Sequence, residues 1–302
     1  MSTTRLREYF EPQTLAKLKG LRLRAQRLVE GLLSGLHRSP RRGFSIEFAE
    51  HREYVPGDDL RYLDWKVFGR TDKLYLKQFE DETNLIAYLV LDTSAGMAYQ
   101  GPAAPWSKWH YAQCLAAALA WLVLNHHDAV AVATFDERLR RFVPPAGGTG
   151  QLDNVLRVLD EVEPYGPTRV AQALQELATR LPHRGVVIVL SDLFDDAESV
   201  LHGLRALRFA RHDVVVFQVL DPAEVEFDFQ EPTRFLGLEV LRRLAVDPRA
   251  LRRGYMAEFR AFCDRLLDGC RRVGIELWPA VTSRPLHELL VPFLERRAQR
   301  IV

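Results

Sequence analysis

The sequence predicts an α/β fold built on a doubly wound, mostly parallel sheet with helices on both faces. Two observations carry this. Residues 85–91, 185–190 and 214–220 are short runs rich in Val, Ile and Leu, apolar throughout except at Gln218, the composition of strands buried on both faces. Between and beyond them, helical and strand patterns alternate from residue 85 to the end of the chain, which favours parallel strands joined by crossover helices.

The elements follow in order. Residues 12–36 carry Leu15, Leu18, Leu21, Ala25, Leu28 and Leu32 at spacings of three and four, so an amphipathic helix is expected. Its other face is basic, with Lys17, Lys19, Arg22, Arg24 and Arg27. In residues 44–83, Phe44, Ile46 and Phe48, and later Leu74 and Leu76, alternate with polar residues, which points to short strands around a helical turn. Asp58 or Asp59 is placed to cap that turn. From 85 the expected order is strand 85–91, helix 106–126, strand 129–135, edge strand 139–143, helices 150–161 and 168–181, and strand 185–190. There follow helix 197–210, strand 214–220, a less regular stretch, helix 249–273, strand 275–281 and helix 285–298. The expected organisation is a basic helix (1–36), an elaboration (37–84) too short to hold its own core comfortably, and a main domain (85–302).

Composition bounds the function. The 302 residues hold 41 Lys and Arg against 40 Asp and Glu, a net charge of +1, which argues against a surface built throughout to hold polyanions. The local excess lies in residues 1–43, ten basic against three acidic; it fits a solvated helix face or docking on an acidic partner, nucleic acid or lipid headgroups. Cys114, Cys263 and Cys270 form no C-x-x-C pair, and three thiols cannot build a disulfide framework. With no signal-peptide pattern at the start and no apolar run long enough for a bilayer span, a cytoplasmic protein is expected.

In such a sheet, ligands bind where the strands end, near the point at which strand order reverses. Asp92 and Ser94 follow the first apolar run, Asp192 follows the second, and Thr168 heads a helix between them. All offer oxygen, the donor that hard cations such as Mg2+ prefer. With these residues in view, 88–192 resembles a von Willebrand factor A domain and its metal-ion-dependent adhesion site, D-x-S-x-S followed by a distant Thr and a distant Asp. The resemblance implies that Asp92, Ser94, Thr168 and Asp192 hold Mg2+, Mn2+ or Ca2+, and that the metal accepts an acidic side chain from a partner. Gly96 stands where the second Ser belongs, so a water is expected to fill the gap, and Gly96→Ser is expected to tighten binding. The alternative is a degenerate site in which Asp92 caps its own loop.

Upstream, Gly43, Glu47, Phe48, Arg52, Tyr54, Gly57, Asp58, Asp59, Arg61, Asp64 and Trp65 fit the pattern G-x-x-x-E-F-x-x-x-R-x-Y-x-x-G-D-D-x-R-x-[IL]-D-W of the family called domain of unknown function 58 (DUF58), which the chain resembles from about residue 35 to 298. The resemblance implies partnership with a MoxR-type AAA+ ATPase, as an adaptor in chaperone-like assembly or metal insertion; nothing identifies the client. Arg52, Tyr54, Asp58, Asp59, Arg61, Asp64 and Trp65 are then either an internal ion-pair and packing network or a recognition surface rich in the residue types of interface hot spots.

A non-enzymatic adaptor is the expected function. A Mg-dependent hydrolase using Asp92 and Asp192 is the alternative, weakened by the lack of an evident general base; Ser94 sits in no G-x-S-x-G elbow. Binding of nucleic acid or a membrane surface through the basic helix is a third reading, with nucleic acid disfavoured by the near-neutral total charge. His126 and His127 suit a helix end, and Asp195 and Asp196 a helix start. Gly147–Gly150 lacks the ending of a phosphate loop and reads as a plain loop after the edge strand.

Overall fold

A computed structural model describes residues 21, 24, 25, 51–53, 69, 75–77, 85–231, 233–239 and 243–299. The chain divides into two compact units, Ser39–Asn84 and the remainder. In the smaller unit, β1 (His51–Glu53) pairs antiparallel with β2 (Tyr75–Lys77), with Arg52 opposite Leu76. Arg52 is described only by that place in β1. Tyr54, Asp58, Asp59, Arg61, Asp64 and Trp65, the strand expected at 44–48, and most of the basic helix lie outside the described residues.

The larger unit is organised by a six-stranded sheet. Its strands are β3 (Ile86–Asp92), β4 (Ala129–Phe135), β5 (Leu139–Ala146), β6 (Val186–Ser191), β7 (Asp213–Leu220) and, after a two-stranded ladder of β8 (Thr233–Leu236) and β9 (Arg243–Val246), β10 (Glu276–Val281). The order is β10-β7-β6-β3-β4-β5, parallel throughout except for the antiparallel edge strand β5. This is the expected doubly wound α/β arrangement. The chain starts in the middle at β3, lays β4 and β5 on one side, then crosses to β6 on the other. Strand order therefore reverses at β3, and the carboxyl ends of β3, β6 and β7 lie side by side.

Because residues alternate across a strand, the sheet has two cores. Leu89, Leu91, Val130, Val132, Ile188 and Phe217 face one layer, formed by α1 (Lys108–Asn125), α2 (Thr149–Glu161) and α7 (Leu286–Ala298); Leu21 and Ala25, both helical, are buried in the same cluster. Tyr88, Val90, Ala133, Val189 and Val216 face the other, formed by α3 (Val170–Arg180), α4 (Ala197–Phe209) and α6 (Pro248–Arg272). Each fully buried Val or Leu contributes roughly 1.5–3 kcal/mol, so the central strands, buried at nearly every position, anchor the domain.

Two details differ from the sequence expectation. Gly147–Gly150 is not wholly loop, because α2 begins at Thr149. The less regular stretch after β7 holds a short helix, α5 (Pro222–Glu226), and the β8–β9 ladder. Those strands have four residues each of mixed polarity, too short for periodicity to register.

Candidate functional site

Backbone hydrogen bonds bring three loops to one rim. After β3 the chain passes through Thr93 and Ser94 into a 3-10 turn, Ala95–Ala98. Thr93 N donates to Phe135 O (2.7 Å), Ala95 N to Gly166 O (2.8 Å) and Tyr165 N to Thr93 O (2.9 Å). The loop leading to α3 is thus laced onto the end of β3, with Gly166 taking a positive φ of 80° that glycine adopts without strain. Thr168 comes to the rim this way. After β6, Leu193 is held at φ 61°, a left-handed conformation that costs a non-glycine residue about 1–2 kcal/mol. Ser191 Oγ, which accepts from Leu193 N at 2.9 Å, helps to impose it.

Asp92, Ser94 and Asp192 are fully or almost fully buried. Asp92 Oδ1 accepts from Ser94 N (2.9 Å) and Oδ2 from Ser191 Oγ (2.6 Å). Burial pushes the Asp92 pKa up to about 7 and the nearby Asp192 charge adds to the rise, while these hydrogen bonds oppose it. The two carboxylates stand at the ends of adjacent parallel strands, β3 and β6. Ser94 Oγ and Thr168 Oγ1 are buried with no hydrogen-bond partner of ordinary geometry, although the Ser94 hydroxyl lies near enough to Asp92 to stabilise the carboxylate slightly. Tyr111, Thr134 and Thr282 also carry buried hydroxyls without a partner, so what marks Ser94 and Thr168 is their place at the rim that holds Asp92 and Asp192. The sequence-predicted set of Asp92, Ser94, Thr168 and Asp192 is thus gathered at one rim.

Three residues that sequence reasoning missed complete the rim. Lys108, 1% exposed, sends Nζ to Asp192 Oδ2 (2.6 Å) and Glu224 Oε1 (2.7 Å). Burial alone would lower its pKa, but the charges of Asp192 and Glu224 outweigh burial and raise it above the ordinary lysine value. Its ammonium also lies 4.9 Å from the centroid of the Phe194 ring, within cation–π range. Lys108 is the first residue of α1, capped by Ser107, where the helix dipole disfavours a cation; the two carboxylates overcome that. Glu224 is raised by burial and lowered by Lys108, and its Oε2 accepts from Asp221 N (2.8 Å) in the capping box of α5.

Glu239 follows β8. Its Oε2 accepts from Thr168 N at 3.2 Å. A Cβ placed on Gly96 would stand 3.1 Å from Glu239 Oε1, 3.2 Å from Asp192 Oδ2 and 3.8 Å from Ser94 Oγ. The gap left by the absent serine is therefore bordered by a carboxylate of the same chain. Burial raises the Glu239 pKa; the Thr168 amide lowers it and Asp192 raises it further.

Chemically, the rim concentrates Asp92, Asp192, Glu224 and Glu239 around a single lysine, with two unsatisfied hydroxyls. Among the described residues no group of three or more His, Cys, Asp or Glu side chains is placed to hold a metal ion; the donor set here is half hydroxyl. Excess negative charge and orphaned oxygens fit a hard divalent cation, which is bound through oxygen, and Asp92, Ser94, Thr168 and Asp192 are the residues that would hold it. The other sequence landmarks have structural roles. Asp196 caps α4 through Ser199 N (2.9 Å), His126 caps the end of α1, and Asp128 Oδ1 accepts from Leu85 N at 3.1 Å.

Tyr165, 73% exposed, and Leu238, 52% exposed, are chain neighbours of these loops: the Tyr165 amide bonds the loop after β3, and Leu238 precedes Glu239. Among the described residues, no helix is long and apolar enough to cross a membrane.

Comparison with known proteins agrees with the sequence signature. The family model described as "Protein of unknown function DUF58" matches residues 50–262. The uncharacterized protein Rv1480 of Mycobacterium tuberculosis is 30% identical over 296 residues, covering 95% of this chain and 90% of its own length. Among solved structures, the conserved hypothetical protein BatB from Bacteroides thetaiotaomicron aligns with a TM-score of 0.45 at 17% identity, covering 71% of this chain and 99% of that one. The SpRpn10 VWA domain aligns with a TM-score of 0.42 at 9% identity, covering 68% and 93%. Matched over more than half its length by the family model, the chain belongs to the DUF58 family.

Proposed function

We propose that this protein is a non-enzymatic adaptor that docks a protein partner on the rim at the carboxyl ends of β3 and β6, with a divalent cation held by Asp92, Ser94, Thr168 and Asp192. The observation that carries the reading is the convergence of the orphaned Ser94 and Thr168 hydroxyls with two buried carboxylates. When bound, a cation would neutralise this charge and offer a coordination position to an oxygen ligand. The chain's own part is to hold the donors: Ser191 and the Ser94 amide orient Asp92, and Lys108 and the Phe194 amide orient Asp192.

Exposed Tyr165 and Leu238 supply apolar contact beside the rim, and Tyr is enriched at interface hot spots. The thiols favour binding over nucleophilic catalysis: burial raises Cys114 to about 11, Cys270 to about 12 and Cys263 as well, leaving all three protonated at neutral pH.

The partner in this reading is a MoxR-type AAA+ ATPase, as the family resemblance implies, and the place of action is the cytoplasm. The test is capture of purified MoxR-type ATPase by the full chain in Mg2+ and in EDTA. Capture in Mg2+, lost in EDTA and in Tyr165→Ala at unchanged melting temperature, is expected. Failure to capture the ATPase in any nucleotide state would overturn the partnership.

A further inference from the structure

The amino ends of the strands, away from the rim, carry a chemistry of their own. Three turns lie side by side there because the strands they enter are neighbours: Val186 of β6 pairs with Asp213 of β7, and Val215 of β7 with Glu276 of β10. Adjacent strands stand about 4.8 Å apart, so the turns at 182–185, 208–212 and 271–275 form one ridge. Asp213 N donates to Gly185 O at 3.0 Å, and Arg208 Nη2 lies 3.8 Å from where a Cβ on Gly274 would stand.

The ridge is cationic. Arg184, Arg208, Arg211, Arg271 and Arg272 are all exposed; among the described residues only Arg271 of the five meets a carboxylate, Asp268 at 3.9 Å. The carboxylates that open β7 and β10, Asp213 and Glu276, are held by Arg297 instead, at 2.5 and 3.2 Å. Arg208, Arg271 and Arg272 suit the last turns of α4 and α6, where the dipole favours cations, but Arg184 and Arg211 lie in loops. Arg211 is held at φ 65°, and Gly274 takes the same place in the turn after α6, at φ 72°. The two turns close alike, Arg211 N on Arg208 O and Gly274 N on Arg271 O. An arginine thus stands where glycine sits without strain, and strain kept at such a position points to a use for the side chain. Among these arginines Phe209, the last residue of α4, is 84% exposed. It is the ridge's one Phe, Tyr or Trp. Surfaces that track single-stranded nucleic acid stack successive bases on several aromatic rings. A lone exposed Phe ringed by guanidinium groups matches a lipid interface, where the ring enters the headgroup boundary and the cations meet phosphates.

We infer that this ridge docks on an anionic phospholipid surface, with Phe209 inserted and the five arginines on headgroup phosphates. The rim at the carboxyl ends of the same strands is then turned away from the lipid and open to a protein partner. The inference goes beyond the proposed adaptor role and uses none of the residues of the cation reading.

Co-sedimentation of the full chain with vesicles of equal parts phosphatidylcholine and phosphatidylserine tests it, in EDTA and low salt, against vesicles of phosphatidylcholine alone. Binding to the anionic vesicles only, weakening as salt rises, is expected. One arginine near such a surface is worth about five-fold in affinity, so Arg184→Gln with Arg211→Gln should weaken binding roughly 25-fold. Phe209→Ser should weaken it about ten-fold, and Phe209→Trp should retain it, since indole also seats at the interface. The substituted side chains are exposed, so melting temperatures should not move. Anionic-vesicle binding that survives in the triple variant Arg184→Gln, Arg211→Gln, Phe209→Ser belongs elsewhere in the chain, the basic residues 1–43 included, and overturns the inference. Absence of binding by folded wild type overturns it too, as does tighter binding to single-stranded polyuridylate RNA than to the vesicles. With EDTA present throughout, each outcome leaves the cation reading of the rim to its own test.

Discussion

Replacing Lys108 with methionine keeps most of the buried stem and deletes the charge, which makes it the sharpest probe of the rim's electrostatics. Lys108 Nζ lies 2.6 Å from Asp192 and 2.7 Å from Glu224, and Lys108 and Asp192 are only 1% and 2% exposed. With an effective dielectric constant of about 20, one such contact is worth about 6 kcal/mol before desolvation. Desolvation of the ammonium offsets much of this, and breaking a buried pair by removing one partner typically costs about 3–5 kcal/mol. For a domain of this size, that is a fall in melting temperature of roughly 6–20 °C. The assay is thermal and urea unfolding in EDTA at pH 7.5, repeated at pH 5.5, where proton uptake by Glu224, whose pKa burial raises, should shrink the deficit. Millimolar Mg2+ should recover more stability in the variant than in wild type. A loss below about 1 kcal/mol, or a deficit that grows on acidification, would refute the view that Lys108 compensates a buried excess of negative charge.

Two other consequences concern the scaffold. A Cβ on Gly185, at the entrance to β6, would stand 2.3 Å from the backbone oxygen of Ile86; Gly185→Ala should therefore cost about 1–3 kcal/mol by overpacking, and an unchanged urea midpoint would contradict the close approach of β3 and β6. His212, buried edge-on to the Tyr88 ring, has its pKa lowered by burial, partly offset by a backbone hydrogen bond with Gly185. Its contribution is fully present above the ordinary histidine pKa of about 6.5, and is lost as pH falls from there toward the lowered folded value, because the unfolded chain takes up a proton that the folded one resists. The stability of wild type relative to His212→Phe should fall from pH 8 to pH 5; a flat or rising difference would rule this out.

The parts of the molecule legible in the sequence are those whose physics is local or repetitive. The apolar runs that became β3, β6 and β7 need no partner to be recognised, and the turn to the antiparallel edge strand β5 is marked by Asp136 and Glu137. Asp92, Ser94, Thr168 and Asp192 were readable because each follows or precedes a recognisable element. Lys108, Glu224 and Glu239 were not, since their roles arise from contacts across 84, 116 and 71 residues, and no spacing encodes that. The available signal for Lys108 was its position: a lysine at the first turn of a helix works against the dipole, which asks for an anionic neighbour. Glu239 lies between two four-residue strands with no clear alternation of their own, and only the open face of Gly96 hinted that something must stand before it.

In the proposed function, oxygens from separate loops assemble into one cation-binding, partner-docking rim. Crystals of the full chain soaked in Mn2+, with anomalous scattering recorded, test it most directly. The expected result is an anomalous peak in direct contact with Ser94 Oγ and Thr168 Oγ1, beside Asp92 and Asp192. Strong Mn2+ peaks elsewhere with none at this rim, or the Lys108 ammonium alone filling the space between the carboxylates and hydroxyls, would contradict it.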